Sequence, residues 1–137
     1  MNFPGITVGK HCTVSHTVGE EDCSGNYLPD DVQPLLSTGA IASLVAEAST
    51  ALIDPLLPDG FISLGKSSSI VHEHPSVVGA LISLTVTIRS FDGYHITLDV
   101  SAHDQTGLVA TGSHVRSIVN KRWLRVRIGG RIAALAR

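Results

Sequence analysis

Apolar and polar residues alternate along two neighbouring stretches of this chain. Ile82, Leu84, Val86 and Ile88 are separated by Ser83, Thr85 and Thr87. Tyr94, Ile96, Leu98, Val100 and Ala102 alternate in the same way with His95, Thr97, Asp99, Ser101 and His103. A period of two marks strands with one buried face, and Asp92-Gly93 between them reads as a tight hairpin turn. A further strand is expected from Leu108 to about Val119, and a first one over 11–18. Upstream the period changes. Ile41, Leu44, Val45, Ala48 and Leu52 recur at helical spacing and predict one buried stripe. Ser37 or Thr38 can cap the helix start, and Asp54-Pro55 ends it.

Everything past Gly60 reads as strand, including the end of the chain, where Leu124, Val126 and Ile128 alternate with Arg125 and Arg127. Residues 120–137 are therefore expected to form a basic C-terminal strand and tail. Residues 19–34 carry no hydrophobic period and read as an acidic, mobile loop. The order of strand, long helix and four or so strands predicts a single α+β domain over 1–137. In it an antiparallel sheet of about five strands packs one face onto one helix. One helix covers only part of such a sheet, so a two-fold dimer is expected to bury an edge or flank.

Composition changes this picture little: 43% hydrophobic, 16% charged, formal net charge −2. No run is read as approaching the ~18–20 apolar residues of a membrane span, and the N-terminus does not resemble a secretory leader. Cys12 and Cys23 are expected to be reduced thiols in a cytoplasmic protein. The placement of charge is more informative. All twelve acids lie at or before Asp104, whereas Lys121, Arg122, Arg125, Arg127, Arg131 and Arg137 crowd the end. Two readings stay open for this tail, a solvated strand edge or a short basic patch meeting the phosphates of a nucleotide-bearing ligand. Without aromatic interleaving or overall positive charge, nucleic acid is not expected as a partner.

The candidate chemistry lies in Ile70-Val71-His72-Glu73-His74-Pro75. In an extended chain His72 and His74 share a face and Glu73 points away. Two imidazoles without a third convergent ligand make a poor zinc site, so no metal is expected. His72 can serve as a general base if something orients it, or be a half-buried strand histidine. His74 is expected to face solvent, Glu73 to be an outer-face charge, and Asp99 with His103 to form a surface pair. Ser67-Ser68-Ser69 either lines a polar pocket or marks an irregular edge. Thr38 can be nucleophile or water-positioner as well as cap, and exposed amides from Thr38 to Ala40 can polarise a carbonyl.

Several stretches, taken together, resemble the fluoroacetyl-CoA thioesterase-like family of the hotdog fold. They are Ser-Thr-Gly at 37–39, Ser-Leu-Gly at 63–65, His72, Arg-Ser-Phe-Asp-Gly at 89–93, Val-Ser-Ala-His-Asp at 100–104 and Gly-Ser-His-Val-Arg at 112–116. The resemblance implies a long helix wrapped by an antiparallel sheet, and a homodimer that hydrolyses small acyl-CoA thioesters without a cofactor. It implies catalytic roles for Thr38 and His72, with Gly39, Gly65 and Arg116 as substrate-binding positions. It also implies a glutamate where this chain has Ala46. Glu47 is adjacent, but at ~100° per residue position 46 is rotated about 80° from Thr38 and position 47 about 180°. Glu47 is therefore not expected to stand in for the missing carboxylate unless it serves a partner's site. That gap keeps a second reading open, a non-catalytic acyl-CoA-binding or regulatory dimer.

Overall fold

The computed structural model describes residues 2–137. Its helix α1 spans Thr38–Ile53 and continues into a 3-10 turn at Asp54–Leu56. Ser37 caps it, its hydroxyl accepting from the Ala40 amide at 3.1 Å. This satisfies one of the amides that a helix start leaves unpaired. Ile41, Leu44, Val45, Ala48, Ser49 and Ile53 form the buried face. Leu52, placed in that stripe from the sequence, is only half-buried, and Ile53 takes its place. Thr38–Leu56 has 19 residues and a mean hydropathy of 1.2. Contrary to expectation, the chain thus does contain a segment apolar and long enough to cross a bilayer, and here it is the core helix.

Five antiparallel strands wrap this helix: β1 His11–Thr17, β2 Phe61–His72, β3 Leu81–Phe91, β4 His95–Asp104 and β5 Gly107–Asn120. Their order across the sheet is β1-β3-β4-β5-β2. Val86 opposes Val100 and Leu84 opposes Ala102, so the two alternating stretches present their apolar sides together. Ile82, Leu84, Val86 and Ile88 meet Ile96, Leu98, Val100 and Ala102 there, all buried. A five-stranded antiparallel sheet around one long helix is the hotdog fold.

Tyr94 departs from the expected alternation and lies exposed in the turn. Asp99 does not pair with His103. It meets Arg89 across the strands at 3.1 Å, and His103 stays exposed. Residues 19–34 include a 3-10 turn at Glu20–Cys23.

The C-terminal expectation is overturned. β5 runs to Asn120, and Lys121–Leu135 is a helix, α2. The Asn120 side-chain oxygen accepts from the amides of Arg122 and Trp123 at 2.8 and 3.2 Å and starts it. Leu124, Ile128, Ile132 and Leu135 share one side of it at helical spacing. The alternation at 124–128 was too short to distinguish a strand from this longer period. Among the described residues, none of α2 is buried.

Curling the sheet around α1 brings β2 and β5 so close that Gly112, opposite Ile70, has no room for a side chain. A Cβ there would run into the Ser69 carbonyl oxygen and lie 3.1 Å from the Ile70 Cα. Gly112→Ala should therefore destabilise the fold by about 1–3 kcal/mol, as overpacking does. A urea midpoint equal to that of the native protein would refute this close approach.

Candidate functional site

The start of α1 is tied down on both sides. The Leu36 amide donates to Ser76 O at 2.8 Å and the Ser37 amide to Asp22 O at 2.9 Å. Leu35 bridges to Val77. These bonds hold the helix start against the end of β2, where Thr38 Oγ1 lies 3.4 Å from His72 Nδ1. Because Ser37 does the capping, the exposed Thr38 hydroxyl is not needed for it. Of the three helix-start amides, Ala40 is taken by Ser37, which leaves those of Thr38 and Gly39. Next to Gly39 there is open space. A Cβ on this glycine would have only Ser37 Oγ within 4 Å, at 3.9 Å.

His72 Nε2 is buried and has no hydrogen-bond partner among the described residues. Beyond it the strand ends. Glu73 and His74 both donate their amides to Val109 O, at 2.8 and 3.1 Å. His74 therefore does not continue the face of His72 and stands in solvent. The Glu73 carboxylate accepts from Thr111 at 3.1 Å. No three His, Cys, Asp or Glu side chains converge among the described residues.

Two cavities adjoin the Thr38–His72 pair. The smaller, about 220 Å³, lies beside His72 between Leu28, Leu35, Leu36 and Pro75. The larger, about 590 Å³, is bordered by Thr38, Gly39, Ser43, Glu47, His16 and Asp22. Gly39, Ser43 and Glu47 follow one another every four residues, which is how Glu47 borders a cavity that begins at Thr38. At ~1.5 Å per residue, however, positions 46 and 47 lie about 12–14 Å along the axis from Thr38. Neither can touch it within one chain. His16 Nε2 meets Asp22 Oδ2 at 2.7 Å. The Gly19 amide on that carboxylate, with His16 adding to it, holds Asp22 below the ordinary carboxylate range. Nothing in the sequence joined His16 to Asp22, since a loop turn brings them together.

Gly65 and Arg116 oppose each other across β2 and β5. They lie seven strand positions from His72, roughly 20 Å away at ~3.3 Å per residue. One chain therefore brings together Thr38, Gly39 and His72, and separately Gly65 and Arg116. Arg116 is only 5% exposed. Its Nε donates to Ser63 Oγ at 2.8 Å and Nη2 to Ser63 O at 2.9 Å. Ser63 Oγ in turn donates to Asp54 at 2.6 Å. Arg116 Nη1 lies 3.2 Å from His114 Nε2. A guanidinium only donates, so Nε2 must accept and the imidazole proton sits on Nδ1. From there it donates to Ser67 O at 3.0 Å, with Ser68 Oγ at 2.6 Å. Ser68 thus belongs to this polar network, and a bulge between Gly65 and Ser67 marks the strand beside it. His114 escaped the sequence reading, although its signal was there: His114 and Arg116 occupy the face of β5 that Ala110 and Ile118 share.

The domain is thus a hotdog fold that brings a threonine and a histidine together at the start of its long helix. The model of the fluoroacetyl-CoA-specific thioesterase family matches residues 18–122, and the chain belongs to that family. The fluoroacetyl-CoA thioesterase of Streptantibioticus cattleyicolor is 25% identical over 121 residues, covering 85% of this chain and 87% of that protein. A hot-dog-like protein from Thermanaerovibrio acidaminovorans superposes with a TM-score of 0.89 at 29% identity, covering 96% of this chain and 97% of the other. A variant of the fluoroacetyl-CoA thioesterase solved with acetyl-CoA superposes at 0.82 with 21% identity, covering 92% and 98%.

Burial, with the charge of Arg116 second, pushes the His114 pKa below 6.5. Below about pH 6.5 the unfolded chain takes up a proton that the folded chain refuses, so stability should fall as the pH drops through that range. Urea midpoints should fall between about pH 7.5 and about pH 5.5, and fall less in His114→Gln. An equal loss in both proteins would count against a buried neutral His114. Arg116→Met should cost about 1–3 kcal/mol without any ligand present, because it strands Ser63 and His114. A ligand contact alone would leave the melting temperature unchanged.

Proposed function

We propose that this thioester hydrolase acts as a homodimer on the coenzyme A ester of a small acyl group. Thr38 and His72 form its reacting centre. The observation that carries this reading is the 3.4 Å approach of Thr38 Oγ1 to His72 Nδ1, beside a cavity of about 220 Å³ lined by Leu28, Leu35, Leu36 and Pro75 with Asn26. A space of that size suits a short acyl group. The free amides of Thr38 and Gly39 are the groups that can polarise the thioester carbonyl as charge develops on its oxygen. His72 then takes the proton of the attacking hydroxyl, from Thr38 or from a water that Thr38 positions, and returns it to the sulfur as the carbon–sulfur bond breaks and coenzyme A thiol leaves. Where Thr38 attacks, a water then hydrolyses its acyl ester. The free thiols Cys12 and Cys23 suit a cytoplasmic setting, and no cofactor or nucleic acid enters this reading.

The sheet edge supports the dimer. β2 is twelve residues long, pairs with no strand but β5, and is exposed from Leu64 to Ser69. Long unprotected edges are normally covered, and a two-fold axis pairs an edge strand with its copy in antiparallel fashion. Centred on that exposed stretch, such pairing would bring Gly65 nearer to the partner's His72 than to its own, consistent with a substrate-binding role for Gly65 and Arg116 across the interface.

The unpartnered Nε2 of His72 and the alanine at position 46 favour a second reading, an acyl-CoA-binding dimer with little or no turnover. A thiol-release assay across a panel of acyl-CoA esters separates the two. We expect slow hydrolysis, lowered ~10²–10⁴-fold by His72→Ala with the fold intact. Ala46→Glu should raise turnover and Glu47→Ala should change it little. Melting-temperature shifts with acyl-CoA but no thiol release would hand the protein to the binding reading. A monomer by light scattering at micromolar concentration would remove the dimer.

A further inference from the structure

Coenzyme A carries several phosphate charges, and the site just described is a poor place for them. Glu21, Asp22 and Glu47 border the larger cavity, with Glu20, Asp30, Asp31 and Glu73 nearby in sequence. The chain has ten Lys and Arg residues, and the four that precede α2 are engaged elsewhere. Lys10 donates to Gly5 O at 2.9 Å, and Lys66 lies 2.9 Å from His95 Nε2. Arg89 meets Asp99, and Arg116 is buried on Ser63 and His114. The other six lie in 121–137, a stretch with no acid. Within one chain they are misplaced. Asn120 opposes Phe61 and the Lys121 amide donates to Gly60 O at 2.9 Å. α2 therefore starts at the end of β2 opposite to His72, eleven residues or ~36 Å away. Antiparallel pairing of two β2 edges reverses this relation, because the start of one strand lies beside the end of the other.

α2 also carries a feature that its own stability does not explain. Gly129 and Gly130 sit in mid-helix, each costing about 1 kcal/mol relative to alanine. Neither has a neighbour within 4 Å of a would-be side chain. Gly130 contributes to a bare notch of about 410 Å³, bordered also by Arg127, Arg131, Ala134 and Leu135. Arg127 is steadied over the Trp123 ring at 5.4 Å.

We infer that the Arg127–Gly130–Arg131 notch of one subunit holds the nucleotide phosphates of coenzyme A bound at the partner's Thr38–His72 site. Paired guanidiniums suit phosphate, and the missing side chain at Gly130 lets a bulky nucleotide approach the helix. The inference rests on the dimeric acyl-CoA reading above.

The test uses the full-length protein with acetyl-CoA and with an acetyl thioester that lacks the nucleotide. Arg127→Glu/Arg131→Glu should raise the KM for acetyl-CoA about tenfold relative to that for the short thioester, and weaken its salt dependence. Arg127→Gln/Arg131→Gln, which adds no negative charge, should move in the same direction if the first pair folds poorly. Mixing and refolding this variant with His72→Ala then tests the arrangement. The mixed dimer has one site with both an intact His72 and an intact helix only if the helix acts across the interface. Recovery of activity at low acetyl-CoA supports the inference, and no recovery overturns it. If the native protein binds acetyl-CoA and both arginine variants bind it equally well, the inference fails while the functional reading stands. If the native protein neither binds nor hydrolyses any acyl-CoA, the functional reading itself fails.

Discussion

Ser37 is the point on which the site depends. Its hydroxyl accepts from the Ala40 amide, its carbonyl from Ile41, and its own amide donates to Asp22 O. One residue thus fixes where α1 begins, in which direction it leaves, and how the 19–34 segment lies against it. The neighbouring bond from Leu36 to Ser76 O ties the same point to the chain just after β2. Thr38 meets His72 because both ends of this junction are held. The side chains themselves contribute only a 3.4 Å approach. Capping also separates two jobs that a single residue could have shared, leaving the Thr38 hydroxyl outside the helix hydrogen bonding.

A second constraint sits on the other half of the sheet. Asp54, Ser63, Arg116, His114 and Ser68 form an unbroken hydrogen-bonded chain across the face where β3 and β4 carry only apolar residues. Buried groups of this kind are tolerated only when each finds a partner. Arg116 satisfies that condition through Ser63 and His114, so its primary contacts lie within the protein. Any role toward substrate must coexist with that fixed guanidinium.

The strands β3 and β4 were legible because each has one fully apolar face, which a period of two reports directly. β2 was harder to assign in detail, since Ser63, Gly65 and Ser68 put polar or absent side chains where apolar ones would mark the inner face. α2 was misread for a physical reason. Its cap, Asn120, and its four-residue spacing extend beyond the short window in which the alternation looked like a strand. The Thr38–His72 contact became an expectation only through resemblance, because no local pattern joins positions 34 residues apart. His16 with Asp22, and the notch on α2, were not legible at all. They depend on how a turn folds and on which residues a helix leaves bare.

The alanine at position 46 takes on a different meaning once distances replace helical angles. Rotation alone separates positions 46 and 47 by ~100°, which made one a candidate partner for Thr38 and the other not. The rise along the axis puts both about 12–14 Å from Thr38. A carboxylate on this turn of α1 must therefore act on something other than its own chain's threonine. His72 Nε2, buried and without a partner among the described residues, is the group beside Thr38 with an unfilled need, and in the proposed dimer a side chain from the partner's helix is one that can meet it. In that proposed dimer the cost of the alanine is an imidazole left without an orienting carboxylate. Thr38, the helix-start amides and the cavity beside His72 are untouched by it. On the proposed reading, what binds the ester is present while what orients the imidazole is absent, and for that reason slow hydrolysis and simple binding are neighbouring outcomes of one structure.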